Sequence, residues 1–485
     1  MFVRQFSLFL APSALGAVLS LVMVPITTYV LSPEAFGVFG LMNAVIGIGW
    51  TVSALGSSAV CNTYYPDLDS AERSRFVSTM LYLAVGAATV FCLLCAALWP
   101  LVAAGVDGYA LIPAGGVTLS LATVVLGVPW VVAQDVITLD GKGHVFAVTG
   151  AAQALATAVV TVLGLNVWHL GVMALFVSAL SAAAVSCIGA AWVLKPHLAA
   201  VFSLRWMRTI IGVGSAESMA NVTLALQTNV ERGFIASSLG VGALGLYVHA
   251  QTYRTLAAQA LKAAARPIWP ITLDEARDGD SDFRRTRTVW DATYLAITAL
   301  GITSAFFGRA AIGWLTHGRF TDAADIVTFF LIFLLVQNAG KPQTAIIFRG
   351  GAAKQFYWIQ IAANLVWLVL VIALIRWAGL IGGVLALIGQ QVFLRGGMHL
   401  LARRHGRSPR SDAWILIGAT GIVAAWVAAG WSDELWVRML FWLGSMVALF
   451  AFGRGVLQRF LGEHAPQSWG GRVLDGTVTD SVSAG

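Results

Sequence analysis

Long apolar runs alternate with short polar connections along all 485 residues of the chain. A helix needs about 20 mainly apolar residues to cross roughly 30 Å of hydrocarbon. Backbone in that setting must satisfy its own hydrogen bonds, which selects helices. Fourteen spans fit, near 6–31, 36–61, 76–104, 109–134, 145–165, 168–194, 207–237, 241–266, 288–315, 323–341, 355–377, 379–401, 413–430 and 435–458. The pattern predicts an all-α polytopic membrane protein with both ends on one face.

Composition narrows the class. The chain is 58% hydrophobic and 11% charged, against about 25% charged in soluble domains. The net charge of +7 would suit a nucleic-acid partner, but its distribution excludes one. On this segmentation 24 of the 30 Lys and Arg fall on one face, five on the other (Arg232, Arg309, Arg319, Arg376, Arg438), and Arg254 near the middle of a span. Lys and Arg resist translocation, so the rich face is the cytoplasmic side and holds both termini. Met1 to Leu10 reads as the lead-in to an uncleaved first span.

No cofactor or metal is expected. Cys61, Cys92, Cys95 and Cys187 lie inside apolar runs, and a CxxC there, without a βαβ pattern, reads as small buried residues. Neither a GxxxxGK[ST] loop, an HExxH nor a GxSxG elbow occurs, so ATP hydrolysis and the common hydrolytic chemistries are not expected. The loop 267–287, with its DGDSD run, reads as solvated, and the tail 463–485 as disordered. Trp residues near span ends fit interfacial anchors.

The chain repeats itself. Leu31, Gly37 and Phe39 match Leu239, Gly245 and Tyr247 at one constant offset. Asp140-Gly141-Lys142 is echoed by Arg349-Gly350-Gly351, and Gly171 to Leu175 by Gly383 to Leu387, at nearly that offset. Six spans per unit is an even number, so both copies enter in the same sense, a parallel repeat about an axis along the membrane normal. The expected organisation is a six-helix lobe at 1–200, a second at 201–402, an additional hairpin at 403–462 and the tail.

Ionisable groups inside a span are costly and therefore informative. In the first span only Ser13, Ser20 and Thr27 form a stripe, which fits close helix packing. The second lobe differs. Glu217, Asn221, Thr228 and Glu231 share a face of span 207–237. Tyr247, Gln251, Arg254 and Lys262 do so on span 241–266, with Arg266 following. In one reading these groups pair to hold the lobe together, Glu217 with Lys262 or Arg254 and Glu231 with Arg232. In the favoured one they line a wet cavity in which Arg254, Lys262 and Arg266 form a cationic track, with Asn221, Gln251 and Tyr247 around it and Glu217 or Glu231 available to couple an ion. Arg suits phosphate because its planar fork binds two oxygens.

Pro25 to Phe39, PITTYVLSPEAFGVF, together with Leu239 to Ala250, LGVGALGLYVHA, resembles bacterial polysaccharide flippases of the multidrug/oligosaccharidyl-lipid/polysaccharide exporter superfamily. Thr28 and Ser32 depart from the usual opening run. The resemblance implies two six-helix lobes in a V, as in multidrug and toxin extrusion transporters, with two extra C-terminal helices. It also implies alternating access and an undecaprenyl-pyrophosphate-linked oligosaccharide as cargo. Expected partners are that lipid-linked oligosaccharide, membrane lipid, a polysaccharide polymerase and a chain-length regulator. Three rivals stand beside this reading: a cation-coupled drug exporter, a peptidoglycan precursor flippase, and a membrane polymerase or ligase. The first would favour acidic residues in the first lobe. The last would need a sizeable outer loop, and every outer loop here is short.

Overall fold

The computed structural model describes residues 2–463, apart from 106, 141, 200, 266–271, 273, 274, 276–282, 339–342, 345, 348–351, 405–412 and 433. Among the described residues there are helices and turns but no strand. The first half holds α1 (Phe2–Val30), α2 (Pro33–Ala54), α3 (Ser57–Tyr64), α4 (Ser70–Gly105), α5 (Asp107–Ala110), α6 (Ala114–Leu139), α7 (Gly143–Asn166) and α8 (Met173–Leu194). The second holds α9 (Leu204–Leu239), α10 (Val241–Ala265), α11 (Arg284–Leu315), α12 (Ala323–Asn338), α13 (Ala353–Arg404), α14 (Ala413–Ala429) and α15 (Leu435–Glu463).

The long helices reproduce the fourteen expected spans because α13 is two rods. It folds back at Gly379, whose φ of 59° and ψ of −136° lie in a region open to glycine. At the turn before α2 capping sets the boundary. Ser32 accepts a bond from the Ala35 amide at 3.4 Å, and Pro33 occupies the first helical position of α2, where its missing N–H costs nothing. Among the described residues eight helices are long and apolar enough to cross a membrane, with three shorter apolar segments beside them. Of the long helices only α9 and α10 are missing from both groups, because they carry the polar stripes.

Alternation of the rods defines two ends. Short turns at Ser32, Gly240 and Gly379 share one end, and the connections at 65–69 and 195–199 share the other. The first lobe is built by α6 and α7 on α8, α1 on α7, and α2 and α4 on α6. In the second, α12 packs on α10, α11 and α13, while the extra helices α14 and α15 pack on α11. Helix α9 lies between the lobes, against α2, α3 and α4 on one side and α10 and α13 on the other.

The repeat seen in the sequence is a pseudo-twofold seam. Leu31 and Leu239 differ by 208 positions, and the same offset relates every contact across the α2–α10 interface described next. A Cβ on Gly37 would overlap the carbonyl of Val241, and one on Gly245 would overlap the carbonyl of Pro33, the related position. Residues related to each other also meet: Gly40 faces Val248, and Gly242 faces Glu34. Reciprocal contacts of this kind are the mark of an isologous interface. The seam is extended at the short-turn end by Arg319, whose Nη1 donates to the Tyr29 carbonyl at 3.0 Å. Phe36 adds edge-on contacts with Phe320 and His249. The two lobes are therefore closed on each other at the short-turn end.

The long-loop end of the first lobe is tied by one carboxylate. Asp140, just past α6, accepts from the Tyr65 hydroxyl and from Lys142 Nζ, each at 2.8 Å, and lies 3.2 Å from His197 Nε2. Burial raises the Asp140 carboxyl, but its bonds from Lys142 and Tyr65 and the nearby positive charge outweigh this and hold it below the ordinary carboxylate range. Stability from such a group is present above its unfolded value and is lost as pH falls through the folded one. Asp140→Asn should therefore lower the Tm of the detergent-solubilised protein at pH 7. The gap to wild type should narrow as the pH falls below the ordinary carboxylate range, and thermal unfolding across a pH series checks it.

A polar cavity in the second lobe

The candidate site begins with Arg254. Its position on α10 places the guanidinium at the wall of a cavity of about 500 Å³ enclosed by α9, α10, α12 and α13. The lining residues of α12 and of the first rod of α13 lie toward the long-loop end, while those of α9 lie past its midpoint toward the short-turn end. The guanidinium stands 5.1 Å from the Phe330 ring centre and 5.5 Å from that of Phe333. Arg254 forms no direct ion pair among the described residues, and aromatic faces support its charge.

Opposite Arg254, Glu231 reaches the same cavity from α9 and accepts a 2.7 Å bond from the Tyr247 hydroxyl. Glu231 is in electrostatic reach of both Arg254 and Arg232. Gln251 lines the cavity as well, with its Oε1 accepting from Arg232 Nη2 at 2.8 Å. Behind them, Gln227 and Gln390 exchange bonds of 2.8 and 3.2 Å, and Gln390 donates to Asn364 Oδ1 at 2.6 Å. The site is thus an amide-rich chamber with Arg254 and Arg395 at its wall.

The residues expected from the sequence divide between several places. Arg254, Gln251 and Glu231 share the chamber. Tyr247 does not reach it; fully buried, it packs on Phe330 and spends its hydroxyl on Glu231. Asn221 opens instead on a neighbouring recess of about 460 Å³ between the lobes, beside Trp50, Thr51 and Asn229. Glu217 is in electrostatic reach of Asp135 and Cys61 of the first lobe, rather than paired with Arg254. The reason is length: at 1.5 Å per residue the 36 residues of α9 pass from one lobe to the other, so one stripe meets different neighbours along its course. The Lys262 side chain and Arg266 lie outside the described residues. In the first lobe, Ser20 and Thr27 line a recess of about 350 Å³ with Phe36 and His249, and Thr27 also bonds back to the Met23 carbonyl at 2.8 Å.

Two arginines take roles beyond those the sequence suggested for them. Arg232, counted on the face opposite the basic loops, is buried; its Nη1 donates to the Gly40 carbonyl at 2.6 Å and ties α9 to α2 across the lobes. The adjacent acid Glu231 was the available signal, since an Arg beside a mid-helix acid points inward as readily as outward. Arg395 on the second rod of α13 lines the chamber and donates to the Gln337 carbonyl. Only its place in a chain of apolar residues marked it.

The Tyr247–Glu231 bond is testable on its own. Tyr247→Phe keeps the ring against Phe330 and removes the donor, leaving a buried carboxylate short of a partner. The cost should be about 1–3 kcal/mol, read as a lower Tm of the purified protein, with Glu231→Gln restoring most of it.

Comparison with known proteins places these features. The solved structure described as the lipid II flippase MurJ in an inward closed conformation matches with a TM-score of 0.70 at 14% identity, covering 94% of this chain and 100% of that one. An inward-facing multidrug resistance MATE family transporter matches at 0.56 and 14% identity, covering 80% and 94%. The eukaryotic MATE transporter AtDTX14 matches at 0.57 and 12% identity, covering 88% and 98%. No curated protein matches in sequence. At these identities the structures share the fold with this chain. The family model described as polysaccharide biosynthesis protein matches residues 26–289, more than half of the chain and including α2, α9, α10 and the seam between the lobes. The chain belongs to that polysaccharide biosynthesis protein family.

Proposed function

We propose that the protein is a flippase that moves an undecaprenyl-pyrophosphate-linked oligosaccharide across the bacterial inner membrane by alternating access. Arg254 carries this reading: a guanidinium inside a membrane-embedded chamber, set against aromatic faces and in no direct ion pair among the described residues. A diphosphate cannot cross the hydrocarbon bare, and a planar guanidinium offers it two parallel bonds. In the sequence, Lys262 and Arg266 follow Arg254 in the direction of the long-loop end, which the distribution of Lys and Arg assigns to the cytoplasm.

In this mechanism the chamber loads from the cytoplasmic side while the α2–α10 seam keeps the opposite side shut. The diphosphate rests near Arg254, the oligosaccharide occupies the wet interior, and the polyprenyl chain stays in lipid. The lobes then rock about the pseudo-twofold axis and part at the seam. Glu231, between Arg254 and Arg232, is positioned to couple an ion to that motion. No bond in the cargo is made or broken, so the protein acts as a transporter rather than an enzyme. The peptidoglycan-precursor alternative draws support from the MurJ-like fold alone, and the family match favours surface polysaccharide.

Lipid analysis of a deletion strain tests the reading. Undecaprenyl-pyrophosphate-linked oligosaccharide should accumulate in the inner membrane, and surface polysaccharide should fall. A strain with normal surface polysaccharide and no accumulated carrier would refute it.

A further inference from the structure

The chamber holds more hydrogen-bonding capacity than the protein uses. Gln337 of α12, with Gln360 and Gln391 on the two rods of α13, lines it with no side-chain bond to the described protein. The Gln391 Oε1 is buried without any partner. Leaving such an oxygen unmet costs about as much as a lost hydrogen bond, so Gln391 in particular is set for a partner that enters the cavity. Each amide offers both donors and an acceptor, which matches hydroxyl groups and not a diphosphate, an all-acceptor anion. Phe333, whose ring also underlies Arg254, gives the same wall an apolar flat face. At about 500 Å³ the chamber falls within the range of sites that enclose small polar ligands.

We infer that Gln337, Gln360 and Gln391 form a sugar subsite that recognises the uncharged, hydroxyl-rich residues next to the diphosphate. This inference rests on the flippase reading above and adds to it the part of the chain that reads the glycan. Arg254 holds the end common to every such carrier, and the glutamines supply selectivity. The division is physical: a charge grips any diphosphate, whereas paired donors and acceptors reject a ligand whose hydroxyls do not meet them.

The test uses the full chain purified in detergent, with two probes: lipid-linked oligosaccharide extracted from the deletion strain, and undecaprenyl diphosphate without sugar. Gln360→Met with Gln391→Met keeps side-chain length and removes the polar ends. The double variant should bind the sugar-bearing carrier at least about tenfold more weakly and the bare diphosphate within about twofold of wild type. Arg254→Ala should weaken both. Because the two glutamines bond to nothing in the described protein, the Tm of the ligand-free double variant should equal or exceed that of wild type, an outcome that a structural role would not give. Unchanged binding of the sugar-bearing carrier, or equal loss for both probes, would overturn the subsite and leave the flippase reading standing. A deletion strain that yields no accumulated carrier would overturn both.

Discussion

Replacing Arg254 with Ala should cut surface polysaccharide by about tenfold or more at unchanged protein level. A hydrogen bond to a charged group contributes about 1.5–3 kcal/mol, equivalent to roughly 10- to 100-fold in affinity. The side chain rests on Phe330 and Phe333 and forms no ion pair among the described residues, so its removal should barely disturb the fold. Arg254→Lys separates charge from geometry. It retains a cation over the aromatic rings but loses the planar fork, and should recover part of the export. Quantifying surface polysaccharide against immunoblotted protein in a complemented deletion strain decides it. Export at wild-type level from the Ala variant would remove Arg254 from the route.

Gly245→Val should be nearly as damaging, through a different cause. A side chain there overlaps the Pro33 carbonyl, which is backbone and has little room to yield. Overpacking of this kind costs about 1–3 kcal/mol, and the seam between α2 and α10 should part at the short-turn end. Gly37→Val, its counterpart across the pseudo-twofold axis, meets the Val241 carbonyl and should have the same effect. Spin labels at Ser32 and Ser238 should report a longer distance in both variants than in wild type, and polysaccharide export should fall by more than tenfold. Gly86, where an added Cβ would meet nothing within 4 Å, supplies the control: Gly86→Ala should be neutral or slightly stabilising. An unchanged label distance in the Gly245 variant would show that the seam is not a gate.

Much of this architecture was legible in the amino acids because lipid imposes a simple code. Apolar length counts the rods, and the fourteen expected spans correspond to the long helices, including the turn at Gly379 that folds α13 back on itself. The repeat was legible for a related reason. Gly37 and Gly245 recur because two backbones approach closely at both places, and no larger residue fits. The site was only half legible. Helical spacing put Gln251 and Arg254 on one face of α10 and Glu231 on a face of α9, and the three meet in the chamber, but it could not show that Tyr247 turns into the dry core, or that α9 changes neighbours between Glu217 and Glu231. Those outcomes depend on which helix lies opposite, a tertiary fact that the periodicity of one helix does not contain. Arg232 illustrates the limit of charge counting: near a span end, burial against the Gly40 carbonyl and exposure to headgroups produce the same sequence pattern. Gln337, Gln360 and Gln391 come from three separate rods and share no motif, so only the chamber itself brings them together.

Transbilayer movement in a purified system tests the central claim most directly. Liposomes bearing a fluorescently labelled lipid-linked oligosaccharide, exposed to a membrane-impermeant quencher, report the fraction of carrier in the outer leaflet. With the wild-type protein present, quenching should proceed beyond the outer-leaflet half toward completion. Liposomes carrying Arg254→Ala should stop near the protein-free plateau. Quenching that halts at the protein-free plateau with wild-type protein, at matched reconstitution, would contradict the account.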